Sequence, residues 1–177
     1  MIACLKSFAL QTMEINIALT SLENIWKVAD VTITKYFLTY KHKGKTSGSA
    51  SATNIALSSA YIQSEEFSSI DAILMVTIDA LQYVSMDARP VVRHCAWNTL
   101  VGAISANASR LSKDRWRLIF EDVLFVLMKR INNKASEVSK TGELAIMPEL
   151  KKGVKMAVHH SRDTAAKQWS ETRVLTI

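Results

Sequence analysis

The stretch "DARPVVRHCAWNTL", residues 87–100, decides how the rest of the chain is interpreted. Proline disfavours the helical conformation in the residue before it, yet it fits the first turn of a new helix. The sequence therefore predicts that one helix ends near Met86 and that the next begins near Pro90. Asp87 is placed to accept hydrogen bonds from the free backbone N–H groups at that start. The new helix has a predicted buried stripe of Val92, Ala96, Leu100 and Ile104.

Helical periodicity extends outward in both directions from this corner. A short helix is expected to end within residues 3–12, and longer helices are predicted over 14–38, 65–86 and 112–132, with a last one from near Asp163. Ser112 is a plausible N-cap of the third. The predicted core positions of the three longer helices recur at steps of three and four residues: Ile15, Ala18, Leu19, Leu22, Trp26, Ala29, Ile33 and Phe37; Phe67, Ile70, Leu74, Ile78, Leu81 and Val84; and Trp116, Phe120, Val123, Leu124, Leu127 and Ile131. The last helix includes Trp169, Thr172 and Leu175.

Two polar stretches interrupt this pattern, and no segment alternates convincingly with a period of two residues. The stretches at about 40–60, which include "KHKGKTSGSASAT", and at 133–150 are expected to be flexible loops. The fold class predicted is all-α, built of antiparallel helix pairs. We expect one helical segment over residues 1–177 that belongs to a longer array, with apolar surface exposed at both ends.

Composition narrows the possible classes of protein. The 177 residues are 49% hydrophobic and include only five glycines and two prolines, which favours a helical chain with a sizeable core. The net charge is +6, but the basic residues are scattered and form no stripe on any one helix. Cys4 and Cys95 are interpreted as reduced, buried thiols of a cytosolic protein. No apolar run approaches the roughly 18 residues that a membrane span needs.

The residues that could suggest chemistry do not assemble into a catalytic motif. "GKT" at 44–46 lacks the earlier glycine of a phosphate-binding loop, because that position is Thr39. Adjacent His159 and His160 point in different directions and lack the spacing of zinc ligands on a helix. His94 beside Cys95 would give a thiolate only if the neighbours lowered the thiol pKa, and burial has the opposite effect. We therefore predict no enzyme activity, metal, cofactor or small-molecule substrate.

The corner itself resembles the signature between the two helices of HEAT repeats. The resemblance is carried by Asp87, Arg89, Pro90, Val92, Arg93, Ala96 and Leu100. It implies an α-solenoid of HEAT- or armadillo-like pairs, in which Asp87 caps the second helix and Arg93 joins neighbouring units. The spacing Val92-Arg93-x-x-Ala96-x-x-x-Leu100 recurs as Ala166-Lys167-x-x-Ser170-x-x-x-Val174. On this interpretation the clustered arginines are structural.

Three blocks resemble a narrower family. "INIALTSLENIWKVAD" (15–30), "DARPVVRHCAWNTLVGAISA" (87–106) and "HHSRDTAAKQWSETRVLT" (159–176) are similar to the C-terminal half of the Mon-two family. Its members are large HEAT-repeat scaffolds of the Golgi and endosomes, related to the Sec-seven-type Arf exchange factors but without their catalytic domain. The resemblance implies a role in endosome-to-Golgi traffic, a Dopey-family partner, a phospholipid flippase, and a cytoplasmic location peripheral to these membranes.

A polar block near the end of the chain is the candidate partner surface, or a surface between repeats. It consists of His159, His160, Arg162, Asp163, Lys167, Gln168, Trp169 and Glu171. The alternative is an ordinary solvated helix face. Two other functions also stay open: a generic HEAT or armadillo-type cytosolic adaptor, and an RNA-binding helical array, which only the net charge favours and for which we expect no nucleic-acid partner.

Overall fold

The computed structural model describes residues 1–43, 70–146 and 164–177, and the regular structure in these ranges is entirely helical, with no strand. The all-α prediction is therefore confirmed. In chain order the elements are α1 (Ile2–Leu10), α2 (Ile15–Lys43), α3 (70–84), α4 (Pro90–Ala106), a 3₁₀ turn (Ala108–Arg110), α5 (Lys113–Leu118), a π-helical segment (Ile119–Leu124), α6 (Phe125–Ile146) and α7 (Ala165–Leu175).

The helices lie in two layers. In the first layer α1 contacts α3, where Lys6 Nζ lies 3.3 Å from Asp79 Oδ2. In the same layer α3 contacts α5, where Arg115 Nε lies 2.8 Å from Asp71 Oδ2. In the second layer α2 packs on α4, and α4 packs on α7. Because α1 also packs on α2 and α6 packs on α7, the described helices form three stacked pairs, α1–α2, α3–α4 and α6–α7, an arrangement compatible with a solenoid.

One hydrophobic core fills the space between the layers. It includes the predicted stripes of α3 and α4, whose burial is confirmed over the described residues: Ile70, Leu74, Ile78, Leu81 and Val84 on α3, and Val92, Ala96, Leu100 and Ile104 on α4. Phe67, the first predicted member of the α3 stripe, lies outside the described residues. Since both stripes follow a 3.6-residue period, every member points into the same interlayer space. The corner between these two helices is thus anchored on the core from both sides.

The starts of three helices test the sequence-based boundaries. Pro90 is the first residue of α4, as predicted. Ser112 caps α5, because its side chain accepts a hydrogen bond from the backbone N–H of Arg115. The cap of α7 is Thr164, whose side chain accepts a first-turn N–H. The predicted cap of that helix, Asp163, lies outside the described residues.

The loop predicted at 133–150 is wrong as far as residue 146, because α6 continues to Ile146. The polar composition and Gly142 favoured a loop, but an apolar stripe persists beneath the polar residues. Its members are buried or half-buried against the core at steps of four, four and three residues: Leu127, Ile131, Ala135 and Val138. The loop predicted at about 40–60 also begins too early, since α2 runs through Lys43; residues 44–69 lie outside the described ranges.

The π-helical segment shifts the core face of the third pair. Buried residues from Ile119 to Ile131 follow one another at steps of four, and each such step would drift by about 40° in a regular α-helix. The wider turn of a π-helix takes up part of this drift. Phe120, which the sequence predicted to be core, is 44% exposed, and Ile119 is buried in its place. Phe120 instead stacks on Trp116 at a ring-centroid distance of 5.4 Å.

Two further positions differ from the prediction for a single geometric reason. Val174, which the repeated spacing matched to the buried Leu100, is 70% exposed. It follows the buried Trp169 by five residues, which places it about 140° around α7. Cys4, which was predicted to be buried, is exposed. It lies five residues before the buried Ala9, which likewise places it about 140° away around α1. The repeated spacing in α7 therefore does not mark a second copy of the α4 core stripe.

Candidate functional site

The α3–α4 corner carries a tightly bonded aspartate–arginine pair. Arg89 Nε lies 2.9 Å from Asp87 Oδ1, and Arg89 Nη2 lies 2.9 Å from Asp87 Oδ2, so the pair is bidentate. The Asp87 carboxylate also accepts the backbone N–H of Arg89 at 2.8 Å. It thus caps the residue that precedes α4, and its side chain does not reach the N–H groups of the first helical turn.

Electrostatics stabilise the charged state of this pair. Burial by itself would raise the pKa of Asp87, but the hydrogen bonds from the Arg89 side chain and backbone, with the positive charges of Arg89 and Arg93, lower it overall. The hydrogen bond to Asp87 raises the pKa of Arg89. Both groups are therefore fixed in their ionised forms at neutral pH.

Arg89 also joins the corner to the preceding helix pair. Its Nη1 donates to the carbonyl of Gln11 at 2.7 Å, and its Nη2 donates to the carbonyl of Ala9 at 3.0 Å. These carbonyls lie at the C-terminal end of α1, where backbone acceptors lack intrahelical partners and the helix dipole is negative. A guanidinium is well suited to this position, because it offers several donors and a positive charge.

Arg93 joins the corner to the following pair. The side chain is fully buried, and its Nε donates to Thr172 Oγ1 of α7 at 2.6 Å. Its Nη1 donates to the carbonyl of Ala88 at 2.8 Å, and the guanidinium carbon lies 4.1 Å from the centroid of the Trp169 ring. Burial lowers the pKa of Arg93, while the charges of Asp87 and Glu171 oppose that change. Arg93 thus contacts both the corner and α7.

Thr172 is the point at which these bonds converge. Its hydroxyl donates to the carbonyl of Gln168 at 2.9 Å and accepts from Arg93 Nε. His94 Nε2 lies 2.7 Å from the same oxygen. Since the single hydroxyl proton is already used, His94 must supply the proton of this third bond from Nε2. Burial lowers the pKa of His94, as does the positive charge of Arg93, so the neutral Nε2–H tautomer is favoured.

The corner therefore links all three described helix pairs. Arg89 connects it to α1 in the pair before, and Arg93 connects it to α7 in the pair after. The sequence predicted Asp87, Arg89 and Arg93 as structural residues. It missed His94 and Thr172, because their meeting depends on two helices that are 78 residues apart in the chain. The spacing of polar residues on α7 carried no signal that Thr172 faces inward.

The other signature residues lie where the corner meets the core. Pro90 begins α4, and Val92, Ala96 and Leu100 are buried beneath it. They orient the polar groups and make no polar side-chain contacts of their own. The structure thus brings the whole signature together at one edge of the two layers.

The polar block divides into an inward and an outward part. Trp169 is buried against Arg93, and Gln168 is half-buried. Lys167 and Glu171 are exposed, with Lys167 Nζ 3.8 Å from Glu171 Oε1. The remaining members, His159, His160, Arg162 and Asp163, lie outside the described residues. Among the described members of this block, Lys167 and Glu171 therefore form the exposed part that another molecule can contact.

A groove lies between α2 and α4 on the second layer, with a volume of about 630 Å³. Its lining includes Leu19, Glu23 and Trp26 from α2, together with Cys95 and Gly102 from α4. Burial raises the pKa of the Cys95 thiol, the hydrogen bond with Thr99 acts in the opposite sense, and the charge of Glu23 raises the pKa further. The thiol is therefore protonated at neutral pH, which does not suit it for nucleophilic chemistry.

Residues 1–43, 70–146 and 164–177 lack two further kinds of site. No group of three or more His, Cys, Asp or Glu side chains in this part of the chain is arranged to hold a metal ion. None of the helices described is both long enough and apolar enough to cross a membrane. The described surface thus offers a groove and a polar helix face.

Comparison with known proteins now gives the family. The family model described as the C-terminal region of Mon2 protein matches residues 1–177. The chain is 30% identical over 175 residues to Protein MON2 homolog of Homo sapiens, covering 97% of this chain and 10% of that protein. It is 32% identical over 183 residues to the Xenopus laevis homolog and 28% identical over 176 residues to that of Drosophila melanogaster, covering 97% and 99% of this chain and 10% of each relative.

No solved structure matches this chain. The chain spans about a tenth of the length of these relatives. The family match, by contrast, extends over every residue of the chain and includes the corner, the polar block and the groove. The chain therefore belongs to the family defined by the C-terminal region of Mon2 protein.

Proposed function

We propose that this chain is a non-catalytic scaffold segment that acts in vesicle traffic between endosomes and the Golgi. It binds partner proteins through the surface of its stacked helices. The single observation that carries this proposal is the family match over residues 1–177. The trafficking role comes from the family resemblance of the three sequence blocks. The relatives' names do not state that role, and this chain spans about a tenth of their length.

The hydrogen bonds of the polar residues at the α3–α4 corner support a scaffold role. Arg89 and Arg93 donate hydrogen bonds to groups of the same chain, so the polar signature holds helix pairs together. Stacked helix pairs present extended surfaces that bind other proteins. The exposed Lys167 and Glu171 on α7 belong to such a surface, and the groove between α2 and α4 belongs to the same layer.

The proposed partners are a Dopey-family protein and a phospholipid flippase, with a cytoplasmic location peripheral to Golgi and endosome membranes. The test is to express the full 177-residue chain with an affinity tag in cells and to measure which proteins co-purify. Capture of the two partners with Golgi or endosomal localisation is the expected result. Recovery of RNA that falls steeply with salt would instead favour a nucleic-acid-binding array, and recovery of neither partner would contradict the proposal.

A matched pair of charge exchanges tests the surface on α7. Exchanging Lys167 and Glu171 (K167E with E171K) retains an ion pair but reverses its direction on an exposed face. The same exchange of Lys134 and Glu137 (K134E with E137K) on α6 is the control. If α7 contributes the partner surface, the first exchange reduces capture and the second leaves it unchanged. Equal capture by both variants would remove α7 from the partner surface.

A further inference from the structure

The groove between α2 and α4 has the properties of a docking site for a helix. Its volume of about 630 Å³ lies within the range of ligand-binding clefts, and Leu19, Trp26 and Val91 present apolar side chains to it. We propose that this groove binds an amphipathic helix of a partner protein, which places an apolar stripe on Leu19, Trp26 and Val91 and a lysine or arginine beside Glu23. The inference deepens the proposed function and rests on it, because it names the kind of partner that the scaffold holds.

Gly102 supplies an argument that is independent of the apolar lining. Glycine lowers the stability of a helix interior relative to alanine, and it permits the close approach of another backbone. Apart from the adjoining residues and the local backbone of α4, no heavy atom of the described residues lies within 4 Å of the position that a Cβ would occupy. Packing among the described residues therefore does not require the glycine. Its missing side chain instead leaves one wall of the groove open, so that a partner helix can approach the α4 backbone closely.

Charge decides which kind of helix fits. Among the described residues that line the groove, Glu23 is the only charged one, so the groove is locally acidic although the chain has a net charge of +6. It pairs with Lys27 at 2.7 Å on the surface, where both side chains are about 60% exposed. Such an exposed pair contributes little to stability, so a partner cation can replace Lys27 at the carboxylate. The neighbouring Trp26 offers an aromatic ring to the same cation.

The apolar stripe of the occupant follows from the shape of the groove. A helix that lies in a hydrophobic groove makes contact through residues at positions i, i+3 or i+4, and i+7. The three apolar side chains named above belong to two helices, so they form two walls for such a stripe. The occupant is thus a helix with one apolar face and one basic residue at the edge of that face.

Two synthetic helical peptides test the proposal with the full chain. They share one leucine stripe and differ at a single flanking position, which is lysine in one and glutamate in the other. The readout is the rate at which iodoacetamide alkylates Cys95 in alkaline buffer, where a fraction of the thiol is ionised, and mass spectrometry follows the reaction. Cys95 lines the groove, whereas Cys4 is exposed on α1 and reports any general change in reactivity.

The lysine peptide is expected to slow alkylation of Cys95 by about fivefold at a concentration of about four times its Kd, and to leave Cys4 unaffected. The glutamate peptide should bind about two- to fivefold more weakly, as expected for one exposed charge pair. Gly102→Leu fills the groove and should abolish protection, while Gly102→Ala, which adds only a methyl group to the same wall, should weaken it. Glu23→Lys should reverse the preference between the peptides. Circular dichroism verifies that each variant is folded.

Three results of the alkylation assay would overturn the proposal. The first is equal protection of Cys95 by both peptides, the second is unchanged protection in the folded Gly102→Leu variant, and the third is protection that rises with protein concentration when no peptide is present. The third result would assign the groove to a second copy of this chain. If Glu23→Lys and Gly102→Leu leave capture of the trafficking partners in cells unchanged, the groove proposal fails and the proposed function stands. If the peptides protect Cys95 but no trafficking partner is captured, only the proposed function fails.

Discussion

At the residue scale, the question is how the structure tolerates a fully buried guanidinium. Removing a charge from water is expensive unless hydrogen bonds and nearby charges compensate. Arg93 donates from Nε to Thr172 and from Nη1 to Ala88, and it stacks on Trp169. Its Nη2 has no hydrogen-bond partner among the described residues, so the compensation is incomplete. Arginine suits such a site better than lysine, because its planar group is more weakly hydrated and can stack while it donates.

Arg93→Met should lower the free energy of unfolding by about 2–3 kcal/mol, because the carbonyl of Ala88 and the Thr172 hydroxyl each lose a charged donor. Urea unfolding followed by tryptophan fluorescence measures the change. Arg117→Met, at an exposed side chain on α5, is the control and should change stability by less than about 0.5 kcal/mol. Similar losses in the two variants would show that the buried bonds contribute little.

The lowered pKa of His94 predicts a stability that depends on pH. Below a pH of about 6.5 the unfolded chain gains a proton on this histidine, whereas the folded chain resists it, so stability falls as the pH decreases through that range. His94→Gln keeps an N–H donor for Thr172 and removes the titrating group. The unfolding free energy of the unmodified chain should therefore approach that of the His94→Gln variant as the pH falls from 7.5 towards 5.5. A difference that does not vary with pH would contradict the shift.

Asp87 acts in a separate and more acidic window. Because its folded pKa is lowered, the stability that it contributes is present above its unfolded pKa of about 3.8 and is lost as the pH falls through the folded value. Chemical unfolding between pH 5 and pH 2 should show this additional loss in the native chain. Asp87→Asn should not show it, although that variant is less stable at neutral pH because Arg89 loses its ion pair. An acid-induced loss of equal size in the Asn variant would exclude Asp87 as its source.

At the element scale, helix interiors show which local preferences the fold overrides. α4 contains Gly102 in its interior, although no other helix among the described residues would obstruct a Cβ there. The π-helical segment between α5 and α6 is an interruption that packing requires, since it keeps Ile119 and Val123 on the core face. Gly102 is therefore expendable for stability. The π-helical segment, in contrast, is needed to keep α5 and α6 in register on the core.

Gly102→Ala should raise the free energy of unfolding by about 0.5–1 kcal/mol, because alanine favours the helix and meets no neighbour. Thermal unfolding and urea unfolding both measure the effect. Ala103→Gly, at the adjacent buried position, is the opposite control and should destabilise the chain. Destabilisation by Gly102→Ala would mean that the α4 backbone cannot accept a side chain there.

Deletion of one residue tests the role of the π-helical segment. Removal of the exposed Asp122 should convert the segment to α-helix and leave the flanking core residues in place, at a loss of about 1–2 kcal/mol or less. Removal of Arg130 from the regular α6 helix should instead turn the following core residues by about 100° and unfold the third pair. Circular dichroism and urea unfolding distinguish the two outcomes. Equal damage from both deletions would contradict this account.

At the scale of the whole molecule, stability depends on contacts between successive pairs. In stacked repeats each pair contacts only its neighbours, so stability approximates a sum of pair terms and interface terms. The α3–α4 corner supplies polar contacts to both interfaces, through Arg89 on one side and Arg93 on the other. A perturbation of the middle pair, α3–α4, should therefore weaken its contacts with both the preceding and the following pair.

Hydrogen exchange can separate the two interfaces. Arg89→Met should accelerate amide exchange mainly in α1, because the carbonyls of Ala9 and Gln11 lose their donor. Arg93→Met should accelerate exchange mainly in α7, because its bond to Thr172 is lost. Mass spectrometry of peptides from α1 and α7 gives the measurement, and each variant controls for the other. Uniform acceleration along the chain would indicate a single cooperative unit without separate interfaces.

The sequence by itself determined the helical class, the corner at Pro90 and the core stripes of α3 and α4, because these depend on local backbone preferences and on a 3.6-residue period. It also indicated that Asp87 and Arg93 are structural residues, through the family resemblance.

Only the tertiary structure decided which apolar stripe continues beneath polar residues in α6, where the π-helical segment turns the core face, and which residues of α7 face Arg93. The same holds for the groove between α2 and α4, whose walls are more than 60 residues apart in the chain. These features arise from contacts between helices that are distant in sequence, and a local pattern of polar and apolar residues contains no information on which distant surface it will meet.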